Sequence, residues 1–235
     1  MDGPARNEAQ RQVDPVRLVR AAQAGDLTAY DQLACLHLPE AVQVAVGVLV
    51  RADLAVEVVG TAFEVGYSRI GRLALPGHFR LWLLRIVLQS ALARQARARR
   101  RAVLGRLLVC AGLRHSAFGP GSGRRVGDPR AAVERAMLRL TAPEAGAVGV
   151  SMAGNLSAEE TAEVMDCPVR RVQECLGRAR PKLSLVLSPH VEPGNRGLDR
   201  LLRSIWESQL ADYDCDALRR SISVRLLGLS KAKHA

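Results

Sequence analysis

Aromatic residues are scarce in this chain of 235 residues: phenylalanine, tryptophan and tyrosine together make up 3% of it. Any core must therefore come from leucine, valine and alanine, and hydrophobic residues, at 48%, are numerous enough to build one. That disfavours a β-sandwich, whose strands draw on β-branched and aromatic side chains. It suits small helical bundles. Wholesale disorder is excluded by the same figure. Lysine is nearly missing, occurring only at Lys182, Lys231 and Lys233, so the net charge of +11 is carried almost wholly by arginine. A surplus of that size favours a polyanionic partner: nucleic acid, an anionic membrane or an acidic protein. Arginine in place of lysine is also what a GC-rich genome writes on any surface. Nucleic acid is the favoured expectation, and the positions of the arginines must decide it.

Cysteine is sparse and unpatterned. Cys35, Cys110, Cys167, Cys175 and Cys215 are odd in number, form no CxxC pair and have no histidine cluster beside them. Neither a disulfide framework nor a zinc site is expected; reduced thiols in a cytosolic protein are. The opening residues lack the basic-then-apolar layout of a signal peptide. The longest apolar stretch, Ala41 to Val50, is interrupted by Gln43 and is too short to span a bilayer. A cytoplasmic protein with no membrane partner is the expectation. No nucleophile–base pair, metal-ligand set or glycine-rich phosphate loop stands out. The sequence therefore predicts no enzyme, no catalytic residue, no metal and no cofactor.

What is present is helical periodicity. Asp14-Pro15 is a helix start, with Asp as cap and Pro in the first turn. Ala24-Gly25-Asp26 reads as a stop followed by the next cap, Pro39 as the opening of a separate apolar segment, and Asp53 as the cap of a further helix. In that helix Val58, Val59, Ala62, Phe63, Gly66, Tyr67 and Ile70 keep the three-and-four spacing of an amphipathic face. After Pro76-Gly77, a helix beginning at Phe79-Arg80-Leu81-Trp82 runs into Arg94, Arg97, Arg99, Arg100 and Arg101. Residues 102–131 turn rich in Gly, Pro, Ser and Arg, the composition of a flexible, positively charged linker. Periodicity returns over 132–187, breaks at Pro189, Pro193 and Gly194, and resumes in a C-terminal extension.

The most specific local signal is Leu156–Leu183. Ser157 with Glu160 forms a capping box, Met165-Asp166-Cys167-Pro168 a tight connection, and a second helix starts near Val169. The 3.6-residue period puts Val169, Val172, Leu176, Ala179 and Leu183 on one side of it. Arg170, Arg171, Glu174 and Arg178 project on the other, flanked by Gln173 and Lys182. A helix of that kind fits a major groove, where arginine pairs with guanine edges or phosphates and glutamate accepts from cytosine. The competing reading is an αα-hairpin whose exposed face merely happens to be basic.

Over residues 14–187 the chain resembles an extracytoplasmic-function sigma factor of the sigma-70 family. Leu156-Ser157, Glu159-Glu160, Ala162-Glu163, Val172, Leu176, Arg178-Ala179-Arg180 and Leu183 fit that family's carboxy-terminal helix-turn-helix. Ala24-Gly25-Asp26 with Tyr30 and Leu33, and the Phe79–Ile86 stretch followed by arginines, resemble its amino-terminal domain. The resemblance implies an all-α fold of two small helical domains. Their expected bounds are a flexible N-terminus at 1–13, a first domain at 14–101, a linker at 102–131, a helix-turn-helix domain at 132–187 and a helical extension at 188–235.

It also implies core RNA polymerase and promoter DNA as partners, with an anti-sigma or other regulatory protein as a further candidate. Glu57, Gly60, Thr61 and Glu64 would meet the polymerase. Arg85, Gln89, Arg94, Arg97 and Arg100 would face the −10 element, although an arginine run can also be a solvated helix end. Arg170, Arg171, Gln173, Glu174, Arg178 and Lys182 would read the −35 duplex. Several positions depart from the family pattern. Gly60-Thr61 replaces a Gln-Glu pair, Gln89 an Asn, Ala93 an Asp, and Arg170-Arg171 a Gly-Thr. Glu144-Ala145-Gly146 stands where arginines are common, and Pro181 predicts a kink before Leu183. These departures keep open a degenerate sigma-like regulator that binds without initiating, or a helix-turn-helix repressor. In the extension, Leu198 to Leu210 and Leu218 to Leu229 form two apolar stripes, expected to pack on the last domain or to bind a regulatory protein. Asp216 is expected as a helix cap between them.

Overall fold

The computed structural model describes residues 14–110, 128–191, 195–211 and 213–233. All regular structure among them is helical, the class expected from the sequence. The first bundle is α1 (Pro15–Gln23), α2 (Leu27–Leu49), α3 (Ala52–Arg69) and α4 (Phe79–Cys110). Asp14 caps α1 by accepting from the Val16 amide at 3.0 Å, and Asp26 caps α2 by accepting from Thr28 at 2.8 Å. Gly25 makes the corner between them at φ +99°, a conformation that costs a side chain little only when there is none.

Two expectations change here. Pro39 does not open a new segment; α2 runs through it unbroken. A mid-helix proline removes one backbone bond and crowds the preceding turn. In α2 both halves are fixed by burial, with Leu33, Leu38, Ala41, Val42 and Val46 all in the core. Asp53 is not the cap of α3 either. Arg51 holds the N-cap position, and Asp53 sits in the first turn, ion-paired to Arg51. Four of the aromatic rings, those of Tyr30, Tyr67, Phe79 and Trp82, are gathered into one cluster in the first bundle. Tyr30 donates to the Phe63 carbonyl at 2.7 Å and packs against Tyr67 and Phe79. Gly66 leaves it room, since a Cβ there would lie 2.5 Å from the Tyr30 oxygen. Burial pushes the Tyr30 phenol far above its ordinary range, so it stays a donor. Helix α2 is long and apolar enough to cross a bilayer, yet most of it is enclosed by its neighbours, the position of a core helix.

The second bundle is α5 (Pro129–Arg139), α6 (Ala142–Val148), a π-helical turn (Gly149–Ala153), α7 (Ala158–Met165) and α8 (Val169–Leu187). Helix continues past the expected end of the first domain, to Cys110, and resumes at Pro129, inside the expected linker. The rest of that linker, 111–127, lies outside the described residues, as does the expected flexible N-terminus at 1–13. The two bundles are not held apart. One continuous buried cluster runs from Val19 through Val48, Leu88 and Met137 to Leu187. At its centre α2 meets the π turn backbone to backbone: a Cβ at Gly47 would fall 2.8 Å from the Gly149 oxygen. Gln95, buried on α4, donates to the carbonyls of Val48 (3.2 Å) and Met137 (3.3 Å), tying three segments together.

The extension is a hairpin of α9 (Asn195–Ala211) and α10 (Cys215–Lys233). Asp214, not Asp216, caps α10 by accepting from Ala217 at 2.9 Å; Asp216 lies in the first turn. Leu198, Leu202 and Trp206 on α9, and Leu218, Ile222 and Leu226 on α10, are buried. The side chain of Leu229 is not among those described. Helix α9 touches both bundles, while α10 lies along α2 and α3. The hairpin therefore packs on the first bundle as well as the last.

Candidate nucleic-acid interface

The α7–α8 unit is assembled by its ends. Ser157 accepts from the Glu160 amide at 3.1 Å, and Glu160 accepts from the Ser157 amide at 3.0 Å. Asp166 then takes a left-handed conformation (φ +55°) that ends α7 and turns the chain. Pro168 stands at the N-cap of α8. Val172, Cys175, Ala179, Leu183 and Leu187 are buried under α8, so the inward face follows the period read from the sequence. The helix runs on through Pro181 to Leu187, because Leu183 and Leu187 beyond it remain anchored in the core.

On the outer face Glu174 is ringed by three guanidinium groups. Arg170 donates to it at 3.0 Å, Arg171 at 3.2 Å and Arg178 at 3.3 Å. Arg171 and Arg170 hold its carboxyl below the ordinary glutamate range. Arg170 is 88% exposed, and Gln173 and Gly177 are exposed beside the cluster. The result is a solvent-facing cationic patch whose one carboxylate keeps the arginines side by side. Lys182 is engaged differently: its ammonium donates to both carboxylate oxygens of Glu144 at 2.7 Å, and the Glu144 side chain is only 5% exposed. Burial pushes that carboxyl up, but Lys182 and the Thr141 amide outweigh it and hold it below its ordinary value. Glu144 thus completes the cap of α6 and an internal ion pair at once.

Along α4, Gln89, Arg97 and Arg100 are exposed on one helical face. Arg85 lies on the same face but is taken. It donates to the Glu163 carbonyl at 2.6 Å and pairs with Asp166 at 3.2 Å, bridging to the turn between α7 and α8. Arg94 points elsewhere and pairs with Glu57 on α3 at 3.3 Å. On α3, Glu57 and Thr61 are exposed, whereas Gly60 is buried and Glu64 half-buried.

Sequence reasoning missed the residues that join the bundles. Arg80 binds Glu40 on α2 and Glu160 on α7, both at 2.5 Å, and His78 meets Glu163 at 2.9 Å. Arg99 donates to Gln95 at 2.7 Å and to the Met137 carbonyl at 3.3 Å. Gln95 carried a signal, since it follows Leu84, Leu88 and Ala91 at helical spacing and so falls on the buried face. Arg80 carried none, because its partners are 40 and 80 residues away. Among the described residues no group of three or more His, Cys, Asp or Glu is placed to hold a metal ion.

The sequence matches no protein-family model and no curated protein. It is similar in structure to CnrH, solved in complex with the cytosolic domain of CnrY. That likeness has a TM-score of 0.54 and 24% identity, over 75% of this chain and 98% of that one. It is also similar to the sigma factor RpoE, solved in complex with the anti-sigma factor NepR from Bartonella quintana. There the TM-score is 0.46 and the identity 21%, over 68% of this chain and 96% of that one. The likeness to CnrH is one of fold, an all-α arrangement.

Proposed function

We propose that this chain is a sigma-type initiation factor that brings core RNA polymerase to a promoter. The observation that carries this reading is the arginine cluster around Glu174, on the open face of a helix-turn-helix within a sigma-like fold. Arg170, Arg171, Gln173, Glu174 and Arg178 would read the −35 duplex from the major groove. A base-reading arginine lost there costs about 1–3 kcal/mol at one position, and a phosphate-holding one weakens all sequences alike. Gln89, Arg97 and Arg100 would hold the opened −10 strand through phosphate contacts. Arg85 joins them only when its bonds to Glu163 and Asp166 exchange for DNA, and Arg94 only when it leaves Glu57. Helix α3, with Glu57, Gly60, Thr61 and Glu64, would meet the polymerase. The reading makes the chain a non-enzymatic, cytoplasmic regulator, with bond chemistry left to the polymerase. A regulatory protein, of the anti-sigma kind that the resemblance implies, is a further proposed partner; CnrH was itself solved bound to another protein, the cytosolic domain of CnrY.

Co-purification with core polymerase followed by run-off transcription tests the reading. Promoter-specific transcripts are the expected result. Association without transcripts would convert it to a regulator that binds but does not initiate. No association, with duplex binding retained, would leave an ordinary helix-turn-helix repressor.

A further inference from the structure

Gly60 is a glycine in mid-helix, where one costs stability relative to alanine, and here it sits under the far end of the chain. A Cβ at Gly60 would stand 3.1 Å from an Nη atom of Arg225 on α10. The same Arg225 nitrogen donates to Glu64 at 3.2 Å, one turn further along α3. Ser223 donates to Asp31 on α2 at 2.5 Å. Gln209, buried on α9, accepts from the Ala52 amide at 3.4 Å, serving the first turn of α3 where Arg51 supplies no side-chain cap. Between these polar ties Leu218, Ile222 and Leu226 line one face of α10 and are buried. The hairpin therefore lies on the stretch of α3 assigned to polymerase, and two of the four residues assigned there are beneath Arg225.

We infer that α10 is a built-in cover for the polymerase-docking face, and that the chain engages polymerase only after this helix lifts. The inference rests on the reading of α3 given above. It gives Gly60 a physical reason: the missing side chain is the space that the Arg225 guanidinium fills. A covered face lowers the apparent affinity by the fraction of molecules in which it is uncovered.

The test uses the full-length protein with changes confined to the hairpin. Arg225→Glu sets two carboxylates against each other at Glu64, and Leu226→Ala removes a buried anchor without adding charge. Affinity for core polymerase is measured by titration, and the attachment of α10 by amide hydrogen exchange. The expected result is faster exchange in α10 and binding about tenfold tighter than wild type for both variants. Faster exchange with binding no tighter than wild type would overturn the cover and leave the polymerase reading standing. Unchanged exchange in both variants would also overturn it, since these contacts would then not hold the helix down. No binding by wild type or by variants whose α10 has been released would overturn the reading of α3 and the cover together.

Discussion

A single methyl group at Gly149 tests how closely the two bundles are joined. Built on the existing backbone, a Cβ there falls 2.6 Å from Val48 Cγ2, 3.0 Å from the Val48 nitrogen and 3.2 Å from the Gly47 carbonyl carbon. Comfortable separation for such pairs is about 3.5–4.0 Å. The valine methyl can rotate away, but the two backbone atoms belong to the interior of α2 and cannot. Helix α2 and the π turn must part by several tenths of an ångström, disturbing Val44, Val48 and Val150, all buried. Overpacking of a tight core costs about 1–3 kcal/mol, and two backbone collisions argue for the upper half of that range. In a chain of this size each kcal/mol moves Tm by about 2–4 °C. Gly149→Ala should therefore melt roughly 4–12 °C below wild type when followed by circular dichroism. Gly177 is the control: it is exposed on α8 with nothing within 4 Å of its Cβ position. Gly177→Ala should raise stability by about 0.8–1 kcal/mol through helix propensity alone. If Gly149→Ala melts at or above wild type, the bundles do not meet through their backbones as described.

Other perturbations follow from the same geometry. Glu174→Gln removes the carboxylate from the arginine cluster, so affinity for non-specific duplex should rise and its salt dependence steepen, while any preference for a cytosine read by Glu174 is lost, measured by fluorescence anisotropy. Unchanged affinity would mean that α8 does not face the DNA. Tyr30→Phe should cost about 1 kcal/mol in urea denaturation by removing the buried bond to the Phe63 carbonyl; a neutral result would contradict the 2.7 Å bond. Glu144 gives a pH dependence. Its folded carboxyl titrates below the unfolded one, so its contribution is present above the ordinary glutamate range and is lost as pH falls through the lower, folded value. Glu144→Gln should then lose stability relative to wild type at pH 7, with the gap closing in acid. A gap that stayed constant with pH would refute the assignment.

The all-α class and the α7–turn–α8 unit were legible because their signals are local. Capping boxes such as Ser157/Glu160 need only four residues, and the burial of Val172, Ala179 and Leu183 follows from the helical period. Pro39 misled because its local preference lost to burial on both sides of it. Asp53 and Asp216 misled by smaller margins, each lying in a first turn beside the true cap. Apart from the burial of Gln95, the joining of the bundles was not legible. It depends on pairings such as Arg85 with Asp166 and Gln95 with Met137, whose long separations no spacing rule reaches. Of the candidate site, Arg170, Arg171 and Arg178 are exposed on the side of α8 that the helical period gives them. Arg94 and Lys182 were assigned by charge, and each is matched to a carboxylate within the molecule.

The amide of Ala52 meets its acceptor in Gln209, 157 residues downstream. A ribosome adding about 5–20 residues per second needs roughly 8–30 s to cover that distance. Throughout that interval the first turn of α3 exists without the side chain that serves it in the finished molecule. Every copy thus passes through a youth in which this helix lacks its hairpin neighbour. Slowing or pausing translation between the two codons would lengthen that period without altering a single residue.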